Sequence, residues 1–307
     1  MAHSAIRHGY ADINGIRLHY AAAGDADRPL ILFLHGFPEF WYAWRNQLEE
    51  FGADFLAVAP DLRGFNLSAK PEGVEAYRAK HLVADIAGLA THFRKQRFTL
   101  VAHDWGGAVG WTLAAAQPQR IERLVIVNSP HPAIFQRDLA SNPAQQAASD
   151  YMNFFRTPKA ERVLGENGYA RMFAMNAGWG NKPWMTEEDR TAYLAAWSQP
   201  GALTGGLNYY RASPLHPPTA EDPGAAAVKL DPALVTVRVP TLVIWGMADH
   251  ALLPCNLEGL DAYVPDLRIV RVGDATHWIV HEQPELVNRS IREFLAETEP
   301  VANAGPN

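Results

Sequence analysis

The chain has 307 residues, 48% of them hydrophobic and 20% charged, with a formal net charge of -6 at pH 7. That is enough apolar material for a large buried core, as one big domain or as a core carrying an insertion. The mild, dispersed charge excludes a nucleic-acid footprint and a polybasic membrane anchor and fits a small neutral substrate, while the single cysteine, Cys255, excludes an internal disulfide and a cysteine-based metal cage.

The opening "MAHSAIRHGYADINGIRLHY" has no apolar run of signal-peptide length, and the apolar stretches elsewhere are strand-sized, so the chain is expected to be cytoplasmic and not membrane-bound. The sequons at Asn66 and Asn288 are then not expected to carry glycans. "YADINGIRLHYAAAG" predicts a hairpin around an Asn-Gly turn. "PLILFLHG" is apolar without alternation, which suits an interior strand of a parallel sheet. "DFLAVAPDLRG", "FTLVAHDWGG", "IERLVIVNSP" and "VPTLVIWGMAD" repeat that pattern, and "DLRIVRVGDATH" gives a weaker version. Helix-like stretches such as "AKHLVADIAGLATHF" and "AVGWTLAAAQP" lie between most of them, which predicts a doubly wound α/β fold with a mostly parallel central sheet and flanking helices. The alternation stops after about Pro132. Up to Leu230 the chain carries amphipathic pieces ("LASNPAQQAASDYMNFF", "TEEDRTAYLAAWSQ") and loops rich in Gly, Pro and aromatics, read as a helical cap over the strand ends. The expected division is core over 1–132, cap over 133–230 and core again over 231–307.

"LVAHDWGG" has the frame of a nucleophile elbow in the α/β-hydrolase fold, with Asp104 where serine is usual. Alone, Asp104 reads equally well as a helix N-cap. Two further pieces follow in hydrolase order: Asp249 at the end of "TLVIWGMAD" and His277 in "GDATHW". The other acid position, after the preceding strand, holds Asn128. In "HGFPEFWYAW" the backbone N–H of Phe37, paired with that of Trp105, has the place of an oxyanion hole; a plain strand-to-helix turn with a proline is the alternative. His277 and His281 have helix-face spacing but no glutamate follows the first, and no Walker loop or G-x-G-x-x-G occurs, so no metal, nucleotide or other cofactor is expected.

"HGFPEFWYAWR", "PDLRGFNLSAKPEG", "HDWGG", "GMADHALLP" and "THWIVHEQP" together resemble the epoxide hydrolases of the α/β-hydrolase fold, relatives of the haloalkane and haloacid dehalogenases, over nearly the whole chain. The resemblance implies Asp104 as nucleophile, Asp249 as charge partner of His277, a cis bond from Phe37 to Pro38, and two cap tyrosines. "SDYMNFFRTP" and "LNYYRASPL" place that pair at Tyr151 and Tyr210, with Tyr209 as the fallback. It further implies an apolar epoxide and water as partners, opened through an ester on Asp104 that His277-activated water hydrolyses to a vicinal diol. A carboxylate is ionised at neutral pH and displaces a leaving group from saturated carbon without a base. Phe37 stands where many haloalkane dehalogenases carry a halide-binding asparagine, and Trp105 and Ala108 where fluoroacetate dehalogenases carry arginines. Dehalogenation by the same ester chemistry is the runner-up, and a ligand receptor that does not turn over is a third reading. The cap aromatics Phe154, Phe155, Trp179, Trp184 and Trp197 point to an apolar pocket, with some of them expected to be ordinary core. A homodimer stays open as an assembly.

Overall fold

The computed structural model describes residues 5–178 and 184–297; Trp179 lies outside them. Eight strands form one sheet in the order β1-β2-β4-β3-β5-β6-β7-β8. They are β1 (Arg7–Ile13), β2 (Ile16–Ala23), β3 (Leu30–Leu34), β4 (Leu56–Pro60), β5 (Phe98–His103), β6 (Ile121–Val127), β7 (Thr241–Gly246) and β8 (Leu267–Val272). β1 and β2 make the antiparallel hairpin, and β3 to β8 run parallel. The hairpin turn uses Asn14 and Gly15 at φ 48° and 75°, the left-handed pair that a two-residue turn between twisted strands requires. β3, β4, β5 and β7 are buried at every position, the physical origin of their unbroken apolar runs. β8 has only one partner strand and half-exposed side chains, and its weaker pattern in the sequence follows from that edge position.

Helices α1 (Arg45–Phe51), α2 (Ala79–His92) and α3 (Asp104–Ala116) follow β3, β4 and β5. Between β6 and β7 there are helices and loops but no strand among the described residues: α4 (Pro132–Ser141), α5 (Pro143–Ala148), α6 (Asp150–Phe155), α7 (Ala160–Gly178), α8 (Glu187–Trp197), α9 (Ala202–Ala212) and the short α10 (Pro232–Val235). α11 (Ile279–Glu282) and α12 (Pro284–Ala296) close the core. "LASNPAQQAASDYMNFF" is broken where one run was expected. Pro143 forces Asn142 out of helical geometry (φ -103°, ψ 105°), and the Asn142 side chain accepts a hydrogen bond from the Ala144 amide at 3.0 Å to start α5.

Side chains alternate between two cores. Leu30, Leu32, Leu34, Leu100 and Ala102 pack with α2, α3 and the helical segment; Ile31, Phe33, Val101 and Val125 pack with α1 and α12. Register then fixes the site. His103 pairs with Val127, Val127 with Ile244 and Gly246 with Val272, so the carboxyl ends of β5 to β8 and the loops after them share one edge. No described helix is long and apolar enough to cross a membrane.

Candidate active site

Asp104 sits at the joint between β5 and α3 with φ 50°, a left-handed conformation that a non-glycine residue adopts only where its surroundings hold it. Two glycines permit the joint. A Cβ on Gly106 would lie 2.4 Å from the Leu34 carbonyl oxygen, and one on Gly36 would lie 2.1 Å from Asp104 Oδ1. The N-cap of α3 is His103, without a side-chain cap bond. The Asp104 carboxylate turns away instead: Oδ1 accepts a hydrogen bond from the Phe37 amide at 2.7 Å, and Oδ2 lies 3.7 Å from His277 Nε2. Ser129 Oγ donates to the Asp104 carbonyl at 2.7 Å and steadies the turn.

His277 Nδ1 lies 2.8 Å from Asp249 Oδ2. Oδ1 of the buried Asp249 accepts from the amides of Ala251 and Leu252 at 2.8 and 2.9 Å. Burial disfavours its charge, yet His277 and these donors hold its carboxyl below the usual carboxylate range. Asn128 belongs here too. At the alternative acid position, its Nδ2 donates to Asp249 Oδ2 at 2.8 Å while its Oδ1 accepts from the Gly246 amide at 2.8 Å, so this position buttresses the acid. Burial lowers the His277 pKa, but Asp249, Asp104 and Glu39 outweigh it and push it up to about 9.

The turn Gly36–Phe37–Pro38–Glu39 contains the expected cis bond between Phe37 and Pro38. Glu39, quoted within this motif but given no role from sequence, is 2% exposed. It accepts a hydrogen bond from the Tyr193 hydroxyl at 3.0 Å and pairs with His281 and, at 3.2 Å, with His103. Burial opposes its charge, and the two histidines hold it well below the usual carboxylate range. A glutamate amid "HGFPEFWYAW" is the signal that reveals it, because an acid in an apolar run needs buried partners.

Tyr151 on α6 and Tyr210 on α9 face each other across the same space, ring centroids 6.1 Å apart. Tyr210 meets Trp105 and Phe37 edge-on at 5.0 and 5.5 Å. Both phenols are pushed well above their ordinary pKa, Tyr151 by burial and by Asp104 and Asp249, Tyr210 by burial and by Tyr151 and Asp104, so both stay protonated at neutral pH. The Tyr209 hydroxyl is committed elsewhere, donating to the Arg63 carbonyl at 2.9 Å.

A cavity of about 230 Å³ opens onto Asp104 and both tyrosines. Its apolar wall includes Trp105, Val109, Phe135, Met152, Leu215 and Leu230. Of the cap aromatics named from the sequence, the four described ones are core: Phe155 packs under Phe37 and Tyr210, Phe154 against Phe155, Trp184 on His281, and Trp197 against Phe173 and Tyr193. These rings fill the helical segment's own core, while Trp105, Phe135, Tyr151 and Tyr210 supply the aromatic surface of the open space.

A family model of the α/β hydrolase fold matches residues 29–284. The chain is 42% identical over 289 residues to the AB hydrolase superfamily protein YfhM of Bacillus subtilis (strain 168), covering 93% of this chain and 96% of that one. It is 36% identical over 291 residues to Epoxide hydrolase 4 of Mus musculus, covering 92% of this chain and 77% of that one. Among solved structures it matches a member of the novel epoxide hydrolases found in metagenomes from hot environments, at TM-score 0.87 and 40% identity, covering 96% of this chain and all (100%) of that one. It also matches the Bacillus megaterium epoxide hydrolase in complex with an inhibitor, at TM-score 0.86 and 36% identity, covering 94% of this chain and 100% of that one. The chain belongs to the epoxide hydrolases of the α/β-hydrolase fold.

Proposed function

We propose that the chain hydrolyses apolar epoxides to vicinal diols through an ester on Asp104, with residues 133–230 as the cap that carries the electrophilic side of the site. The observation that carries this reading is the Asp104 carboxylate itself: one oxygen is held by the Phe37 amide, the other lies beside His277, and both border a cavity shared with Tyr151 and Tyr210. A Bacillus megaterium epoxide hydrolase mutant of the same fold has been solved with a propane-1,2-diol product.

Asp104 Oδ2 attacks a ring carbon, the carbon–oxygen bond of the ring breaks, and Tyr151 or Tyr210 gives its proton to the leaving oxygen. Ester formation removes the negative charge of Asp104, one of the groups that hold His277 protonated. His277 then gives up its proton, the phenol is restored, and a neutral imidazole is left where a base is needed. His277 takes a proton from water as that water attacks the ester carbonyl carbon. Charge gathers on Oδ1, facing the amides of Phe37 and Trp105 as oxyanion hole. The intermediate's own hydroxyl proton passes to the departing diol oxygen. Asp104 is again a carboxylate, His277 is again protonated, and one water has been consumed.

A cytoplasmic location fits the one unpaired cysteine, Cys255. The test of the activity is a panel of aryl and alkyl epoxides beside chloro- and bromoalkanes and fluoroacetate, with diol and halide measured together. Epoxides are expected to turn over much faster, because Phe37 leaves no side-chain amide for a halide. Halide release that outpaces diol formation assigns a dehalogenase, and binding without multiple turnover assigns a receptor.

A further inference from the structure

Helix α8 grips the oxyanion turn with one face. Asp189, Tyr193 and Trp197 recur at intervals of four, so their side chains lie above one another on the helix. Each bonds to the segment that starts with that turn: Asp189 Oδ1 accepts from Arg45 at 2.9 Å, the Tyr193 hydroxyl donates to Glu39 at 3.0 Å, and the Trp197 indole N–H donates to the Pro38 carbonyl at 2.6 Å. The last contact lies nearest the chemistry. Phe37, whose amide binds Asp104 Oδ1, precedes Pro38 in the turn. At the start of the turn, the Gly36 carbonyl accepts from the Glu39 amide at 3.0 Å and lies 2.8 Å from His35 Nδ1. The indole itself is fixed. Tyr169, Phe173 and Tyr193 pack around it at ring distances of 5.8, 4.7 and 5.4 Å, and the Tyr169 hydroxyl donates to the Trp197 carbonyl at 3.0 Å.

We propose that Trp197 is a positioning residue for ester hydrolysis: its N–H, by holding the Pro38 carbonyl, fixes the direction in which the Phe37 amide points. This rests on the reading of Asp104 as the esterified residue. Its consequence is asymmetric between the two half-reactions. In ester formation, negative charge leaves Asp104, and a donor that points slightly astray does not slow the step. In hydrolysis, full charge returns to Oδ1 and needs that donor in place. Loss of one oxyanion donor costs about 100- to 1,000-fold, so a donor that is displaced but present is expected to cost about 10- to 100-fold.

The test is Trp197→Phe, which keeps an aromatic ring and removes the N–H, followed by quenched single-turnover mass measurement of the ester with styrene oxide. The expected result is ester formation as fast as in the parent, hydrolysis slowed about 10- to 100-fold, and ester accumulating in the steady state. Arg45→Met, which cuts the far end of the same grip, is expected to lower thermal stability and leave the balance between the two steps unchanged. Parallel slowing of both steps in Trp197→Phe, or parental rates in both, overturns the proposal. Should Trp197→Phe not fold, Tyr169→Phe frees the Trp197 carbonyl alone and is expected to shift the balance the same way by less; an unshifted balance there overturns it equally. Absence of any ester, even in His277→Gln, overturns the Asp104 reading on which the proposal stands, a result distinct from an ester whose hydrolysis ignores Trp197.

Discussion

Asp104 follows β5 directly and opens α3, and Asp249 and His277 are carried by the loops after β7 and β8, whereas Tyr151 and Tyr210 are carried by α6 and α9, helices of six and eleven residues outside the sheet. The first group is placed by strand register, and its side chains are held by charge-assisted hydrogen bonds at 2.7 to 2.8 Å. The second is placed by ring-on-ring packing at 4.9 to 6.1 Å among Phe37, Trp105, Phe155 and the tyrosines themselves. Directional bonds fix a charge in one place, while looser aromatic packing shapes a space with apolar walls. The core side therefore answers to changes of charge, and the helical side to loss of hydroxyls.

The largest effect is expected from the helical side. Tyr151→Phe together with Tyr210→Phe leaves the alkoxide without a donor and should slow ester formation about 100- to 10,000-fold, each single change costing less. Single-turnover rates with unchanged circular dichroism check this, and a parental rate in the double variant would remove both tyrosines from the mechanism.

On the core side the expected signature is a dependence on pH. His277, with its pKa pushed to about 9 from 6.5, is more readily protonated in the folded chain than in the unfolded one. Its contribution to stability is therefore fully present below pH about 6.5 and is lost as pH rises toward about 9. Melting temperatures of the parent and His277→Gln should converge across that window. A gap that stays constant or widens would mean that Asp249 and Asp104 do not hold the imidazole protonated.

The smallest effect separates neighbours on α9. Tyr209→Phe removes the bond to the buried Arg63 carbonyl and should cost about 1 to 2 kcal/mol in denaturant unfolding, with ester formation unchanged. A rate loss comparable to that of Tyr210→Phe would return Tyr209 to the candidate pair.

The same contrast explains what was legible in the sequence. Interior strands buried on both faces leave unbroken apolar runs, so β3, β4, β5 and β7 and the polar residues at their ends stand out, and with them Asp104 and Asp249. Tyr151 and Tyr210 have no such marker: a tyrosine at helical spacing looks like core, and only the likeness of "SDYMNFFRTP" and "LNYYRASPL" to family segments singled them out. Asn128 and Glu39 were in view without a role, since a buttress is defined by a partner distant in the chain: 121 residues for Asn128 with Asp249, and 242 for Glu39 with His281. The break at Pro143 within "LASNPAQQAASDYMNFF" is local and readable from the proline itself.

The central claim is that Asp104 forms the bond to substrate, and trapping that bond tests it most directly. His277→Gln removes the base for hydrolysis and leaves the carboxylate nucleophile intact, so incubation with an epoxide should raise the intact mass by one substrate, with the adduct mapped to the peptide containing Asp104. One turnover of the parent in heavy-oxygen water should then place the label in the Asp104 carboxylate and leave the first diol unlabelled. No adduct in His277→Gln, together with label in the first diol, would show that His277 directs water onto the epoxide itself and that Asp104 forms no ester.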